Sequence, residues 1–249
     1  MISIRSEILA NPDLSSDEFR FAMTQKSLVI IHSAHVNPED IYYPPELEKL
    51  TFYFWDDIVK YTEKIIFPDT ILSLRLQTNY PLDLIVFPKY LEKLALEKYF
   101  NQNIKNINLP KRITHLTIGD RFKHCIKNAN LPEGLTHLVI GHHFNQCIKD
   151  ANLPKSLVHL EIGDRFNKCI KDANLPEGLI SLKLGYDFNQ YLKDANLPSS
   201  LRHFGVGMWF DIPKKIKDTN LSPSIFYFPH RTAECWDPVI GTIIPYPHF

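Results

Sequence analysis

LTHLVIGHHFNQCIKDANLP, residues 135–154, gathers His137, His142, His143 and Cys147 into one short stretch. Taken alone, it has the residue types of a metal or catalytic site. The rest of the chain gives it another meaning. NLPKRITHLTIGDRFKHCIKNA runs directly into NLPEGLTHLVIGHHFNQCIKDA, then NLPKSLVHLEIGDRFNKCIKDA and NLPEGLISLKLGYDFNQYLKDA. The prolines at 110, 132, 154, 176 and 198 fall 22 residues apart. A fixed period of this size is the signature of a stacked repeat protein, in which no unit can bury its apolar face alone.

Weaker copies extend the array in both directions. The anchor pairs are Leu47/Leu50, Ile71/Leu74, Leu91/Leu94, Ile113/Leu116, Leu135/Leu138, Leu157/Leu160, Leu179/Leu182 and Leu201/Phe204, eight repeats in all, with a remnant at Ile225/Phe228. Units before Pro88 vary in length, and the last full one gains two residues around Ile212, Pro213, Lys214 and Lys215. This spacing predicts an amino-terminal cap over residues 1–43, repeats over 44–221 and a carboxyl-terminal cap over 222–249. The first cap carries a short helix, with Ser15 and Glu18 at capping-box spacing, followed by a strand in KSLVIIHS.

Within a unit, Leu138 and Ile140 alternate with His137 and Val139, the period of a short strand. The next strand follows after too few residues for a helical crossover, so the strands must stack in parallel, each coil advancing roughly 4.8 Å. Gly119, Gly141, Gly163 and Gly185 close the strands. Phe100, Phe122, Phe144, Phe166, Phe188 and Phe210 form a predicted aromatic spine, and large stacked rings of this kind bury the most area per residue. Asn108, Asn130, Asn152, Asn174, Asn196 and Asn220 form a column expected to satisfy backbone groups of adjacent coils, and Asn145, Asn167 and Asn189 a second.

Composition narrows the function classes. Lys and Arg number 28, Asp and Glu also 28, so no general polyanion-binding surface is expected, because phosphate contacts need clustered cations. The row Lys105, Lys127, Lys149, Lys171, Lys193 and Lys217 is followed at once by Asn106, Asn128, Asp150, Asp172, Asp194 and Asp218, and reads as a solvated edge. Nothing approaches the run of about 18 apolar residues a membrane span requires. A soluble, intracellular and cytoplasmic protein is expected, in the host cytoplasm if the source is a virus. Cys125, Cys147 and Cys169 share one repeat position, expected to be small buried hydrophobes rather than a disulfide framework.

The unit L-x-x-L-x-I-G-x-x-F-N-x-x-I-x-x-x-x-L-P resembles the leucine-rich repeats of the FNIP, or FGxxFN, type, abundant in slime moulds and giant viruses. Leu135, Leu138, Ile140, Gly141, Phe144, Asn145, Ile148, Leu153 and Pro154 carry the match, as do Leu157, Leu160, Ile162, Gly163, Phe166, Asn167, Ile170, Leu175 and Pro176. Lys123 and Asp211 depart from it at the asparagine. The resemblance implies a leucine-rich-repeat solenoid with a parallel sheet on its concave face and irregular coils on the convex side. Some relatives carry an amino-terminal F-box, a pattern residues 1–43 lack.

His115, His137, His159 and His203 occupy one outward column, with Ser181 in the fourth place. Parallel side chains share one direction, whereas zinc wants convergent ligands, and no nucleophile recurs beside the column. Stacked imidazoles cannot all ionise together, so acidification should strain them. His142 and His143 align with Asp164 and Arg165 in one neighbouring coil and Tyr186 and Asp187 in the next, along the rim.

These features point to a non-enzymatic protein-recognition scaffold with no cofactor and no metal. Its expected contact residues are His115, His137, His159, His203, Val139, Glu161, Lys183, His142, His143, Asp164, Arg165, Tyr186, Asp187 and Trp209, with Met208 beside the last. The partner is a protein. A self-assembling solenoid that dimerises through its caps is the first alternative, and a histidine-ladder metal protein the second.

Overall fold

The four-residue strands HLTI, HLVI, HLEI and SLKL each bury their second and fourth side chains and leave the first and third half exposed. That alternation puts leucine and isoleucine on one side of a sheet and histidine on the other. In the computed structural model, which describes residues 2–10, 16–33, 36–54, 64–77, 80–105, 107–193, 195–207, 210, 219, 221, 226–227, 234–237 and 242–245, these strands belong to one eleven-stranded parallel sheet.

The elements run β1 (Ile2–Arg5), α1 (Ser6–Ala10), α2 (Asp17–Met23), β2 (Ser27–His32), β3 (Lys49–Phe54), β4 (Ile65–Ile66), β5 (Ser73–Gln77), β6 (Ile85–Val86) and β7 (Lys93–Leu96). They continue with β8 (His115–Ile118), β9 (His137–Ile140), β10 (His159–Ile162), β11 (Ser181–Leu184), β12 (His203–Gly205), β13 (Phe226–Tyr227), β14 (Glu234–Asp237) and β15 (Thr242–Pro245). The main sheet has the order β1-β2-β3-β5-β7-β8-β9-β10-β11-β12-β13; β4 and β6 make a small parallel pair, β14 and β15 an antiparallel one. The chain is a solenoid of about eight leucine-rich coils.

From β7 to β11 each coil is a strand followed by three tight turns. In the coil of β9 the Gly141 carbonyl accepts from Phe144 N, Ile148 from Ala151 N and Pro154 from Leu157 N, at 3.1, 3.2 and 3.0 Å. Three turns fold the return path into few residues without a helix. Proline suits the last turn because only its carbonyl is used, while the anchor residue three positions on donates; the same bond recurs from Pro44 to Pro198. Asp150 and Asp172, with φ of 58° and 61°, hold the left-handed conformation in the middle turn, which Asn and Asp tolerate.

All eight anchor pairs are buried, and the spine runs through the core from Phe100 to Phe210. Phe100, Phe122, Phe144, Phe166, Phe188 and Phe210 stack with ring centroids 6.1, 5.9, 6.1, 6.0 and 5.8 Å apart, tilted by 21° at most. A second ladder binds the coils through asparagine. Asn101 Oδ1 accepts from Lys123 N, Asn145 Oδ1 from Asn167 N and Asn167 Oδ1 from Asn189 N, each at 3.0 Å.

The structure corrects several expectations. The cap of α2 is Ser16, whose side chain accepts from Phe19 N at 3.2 Å, and not Ser15, which lies outside the described residues. Register pairs Phe204 with Phe226, so the last strand keeps the 22-residue spacing, while the expected remnant pair Ile225/Phe228 lies outside the described residues. The two residues gained before Asn220 are therefore offset after it. The column Asn108, Asn130, Asn152, Asn174 and Asn196 makes no side-chain hydrogen bond to a neighbouring coil among the described residues. Asn152, Asn174 and Asn196 instead have φ of 50°, 49° and 45°, so the backbone conformation selects them. Asn220, Met208 and Trp209 lie outside the described residues.

The amino-terminal segment is built into the sheet as well as over its end. β1 and β2 pair in parallel, Ile2 to Leu28 through Arg5 to Ile31, and β2 pairs with β3. The sequence offered no repeat signal for β1.

Candidate functional site

Register alone aligns the outward side chains. Lys93, His115, His137, His159, Ser181 and His203 lie side by side across β7 to β12. His115 and His137 stack with ring centroids 4.1 Å apart and 8° between planes, His137 and His159 at 4.3 Å and 21°. Beyond the Ser181 gap, His203 is exposed.

The next outward column reads Arg75, Ala95, Thr117, Val139, Glu161 and Lys183. Charged residues flank the uncharged stretch from Ala95 to Val139, and the register continues to Thr51 on one side and Gly205 on the other. Lys183 Nζ donates to Glu161 Oε1 at 2.6 Å, and Arg75 Nη1 lies 2.9 Å from Glu97 Oε1. Pairs this exposed add about 1 kcal/mol at most. Their effect is on pattern: an imidazole and small-residue strip bounded by two neutralised pairs.

Two threonines organise the stack. Thr114 Oγ1 donates to the Glu92 carbonyl at 3.2 Å and Thr136 Oγ1 to the Thr114 carbonyl at 3.0 Å. Each hydroxyl also lies 2.8 Å from Nδ1 of the following histidine. A threonine hydroxyl that gives its one proton to the carbonyl accepts from the ring, an assignment that puts the hydrogen of His115 and His137 on Nδ1. Protonation must then occur at Nε2, in rings already in van der Waals contact. The Thr-His dipeptides at 114–115 and 136–137 were the available sequence signal for this arrangement.

Burial first, then the positive charge of Lys93 and of His159, lowers His115 to a pKa of about 4. Burial first, then His115 and His159, does the same for His137, also to about 4. His159 is lowered by burial and by His203. The three stacked imidazoles are thus uncharged at neutral pH, with the cationic Lys93 beside them at one end of the row. A histidine whose pKa falls on folding holds its proton better in the unfolded chain, so its contribution is intact above pH 6.5 and is lost as pH falls toward 4. Discounted for half-exposed rings, His115 and His137 together should cost roughly 1 kcal/mol at pH 5.5, a fall in Tm of about 2–4 °C from pH 7.5. A His137→Gln protein should show a smaller fall; an unchanged Tm in the parent protein would count against the ladder.

The rim lies just past the strands. His142 Nδ1 sits 2.8 Å from Asp164 Oδ2, and the His142 and His143 rings meet edge to face at 5.0 Å. His143 Nδ1 is enclosed without a partner among the described residues, and burial, then Arg165 and His142, lowers its pKa. Backbone bonds hold the coils here: His143 N to Asp120 O, Arg165 N to His142 O and Asp187 N to Asp164 O. Arg165 and Asp187 are exposed and Tyr186 half exposed. Among the described residues, no three His, Cys, Asp or Glu side chains are placed to hold a metal ion.

The cysteines overturn their expectation. Cys125, Cys147 and Cys169 are exposed, not buried. Each sits between the buried spine phenylalanine and the following buried isoleucine on the opposite side of the turn, where Sγ accepts the amide of Lys127, Lys149 or Lys171 at 3.3, 3.4 and 3.4 Å. The neighbouring lysine row is cross-linked as well, with Lys127 Nζ to Asp150 Oδ2 at 3.1 Å and Lys149 Nζ to Asp172 Oδ2 at 3.6 Å.

The model of the FNIP Repeat family matches residues 78–121, 100–132, 122–165 and 166–204, more than half of the chain. The chain belongs to the FNIP-repeat family. This FNIP-repeat protein also shares its fold with CroV588 of the giant virus CroV, a circular leucine-rich-repeat protein, at 25% identity and a TM-score of 0.57. The match covers 83% of this chain and 43% of CroV588, so the chain spans less than half the length of that protein. A comparison with curated proteins finds no match. Among the described residues no helix is long and apolar enough to cross a membrane.

Proposed function

We propose that this FNIP-repeat protein is a non-enzymatic scaffold that recognises a protein partner through the outward face of its sheet and the adjoining rim. The observation that carries the reading is the strip of stacked, uncharged imidazoles between two neutralised ion pairs. Such a strip loses little solvation energy when covered, while the bounding charges and the His142 to Asp164 pair give an edge that can be read for specificity. His115, His137, His159, Val139, Glu161 and Lys183 form its floor, and His142, His143, Asp164, Arg165, Tyr186 and Asp187 its rim.

A second reading, self-assembly, is favoured by one feature. β1 ends the sheet, with no strand beyond it among the described residues, and two copies would together match most of the length of the circular CroV588. One experiment separates the two. Affinity capture from the natural host compares the parent chain with a folded His137→Glu, His159→Glu variant. Recognition through the face predicts a protein held by the parent and lost by the variant. Identical capture by both, or only further copies of this chain, would reject it in favour of self-assembly.

A further inference from the structure

The exposed cysteine column is not used by the recognition surface, and its arrangement is specific. Cys125, Cys147 and Cys169 occupy the same position in three successive coils, and each thiol is oriented by the amide two residues ahead. The coils stay close at this point. Three residues earlier the spine rings are 5.9 and 6.1 Å apart, and two and three residues later Lys127 reaches Asp150 across one coil at 3.1 Å. The coil spacing marked by those rings, 5.9 and 6.1 Å, falls within the range of about 4.4–6.8 Å between Cα atoms that a disulfide spans. Cys125 and Cys169 are two coils apart, twice that spacing and beyond that range.

We propose that this column is a reversible oxidation site, in which Cys147 forms a disulfide with either Cys125 or Cys169. The oxidant is hydrogen peroxide. Its O–O bond breaks as one cysteine sulfur takes up oxygen to become a sulfenic acid, and one water leaves. The adjacent thiol then attacks that sulfur; the S–S bond forms, the S–O bond breaks and a second water carries off the remaining proton. Both sulfurs are oxidised and the peroxide is reduced. Because Cys147 is the shared partner, oxidation consumes two thiols of the column and always leaves one. The bond links two coils outside the core, opposing their local separation without touching the sheet face.

The test treats the full chain with hydrogen peroxide and maps cross-links by peptide mass. Trypsin places the three cysteines in separate peptides, 124–127, 128–149 and 169–171. The parent monomer should lose two hydrogens and yield peptide 128–149 joined to 124–127 or to 169–171, with dithiothreitol restoring all thiols. Cys125→Ser and Cys169→Ser should each retain an intramolecular cross-link within the column, and Cys147→Ser should lose it completely. An intramolecular cross-link between 124–127 and 169–171 in Cys147→Ser, exclusively intermolecular bonds, or no cross-link in the parent would overturn the proposal.

Discussion

Replacing Phe144 with alanine is expected to destabilise the protein by about 3–5 kcal/mol, read as a lower midpoint in urea or heat. The ring is fully buried and stacked on both sides, 5.9 Å from Phe122 and 6.1 Å from Phe166. In a coil that contacts only its neighbours, no third layer can move in to fill the gap. The loss therefore falls on two coil interfaces at once, and the stack is divided near its middle. Phe144→Leu, which keeps most of the volume, should cost less than half as much. If Phe144→Ala melted within about 1 kcal/mol of the parent, the spine would not be the main source of stability.

Gly141→Ala should be nearly as severe, about 3 kcal/mol, despite adding a single methyl group. A Cβ there would overlap the Gly119 carbonyl and lie 2.5 Å from Cα of Asp120. Both obstacles are backbone, so no rotamer change relieves them. Gly119, Gly163, Gly185 and Gly207 meet the same barrier from the coil before. Gly134 is the internal control. The nearest atom to a Cβ there is the Lys111 carbonyl oxygen at 3.9 Å, and Gly134→Ala should leave the midpoint almost unchanged. Equal effects at the two positions would mean that the coils are not packed as closely as the glycine column requires.

The repeat made the fold legible because a solenoid's contacts are its period. Once prolines recur every 22 residues, register, spine and histidine column follow from position alone. Residues outside that period were harder to place. β1 has no counterpart at the repeat spacing, and Ser16 rather than Ser15 caps α2 because the helix begins at Asp17. Columns revealed which residues stack but not why each type was chosen. Asn152 and Asp150 answer to a left-handed φ, which composition does not display, and Cys147 faces solvent although its neighbours in sequence, Phe144 and Ile148, are buried. The ladder's protonation was beyond sequence reasoning for a different reason: it depends on where the Thr136 hydroxyl sends its proton and on how closely Lys93 approaches the stack.

The most direct test of the site is a titration of the histidine ring resonances by NMR in the intact chain. The stacked, threonine-anchored ladder predicts that His115 and His137 stay neutral through pH 6 and titrate near 4, with the proton of the neutral form on Nδ1. Titration of both rings near the ordinary value of 6.5, with Nε2 protonated, would contradict the stack, its tautomer and the uncharged recognition strip together.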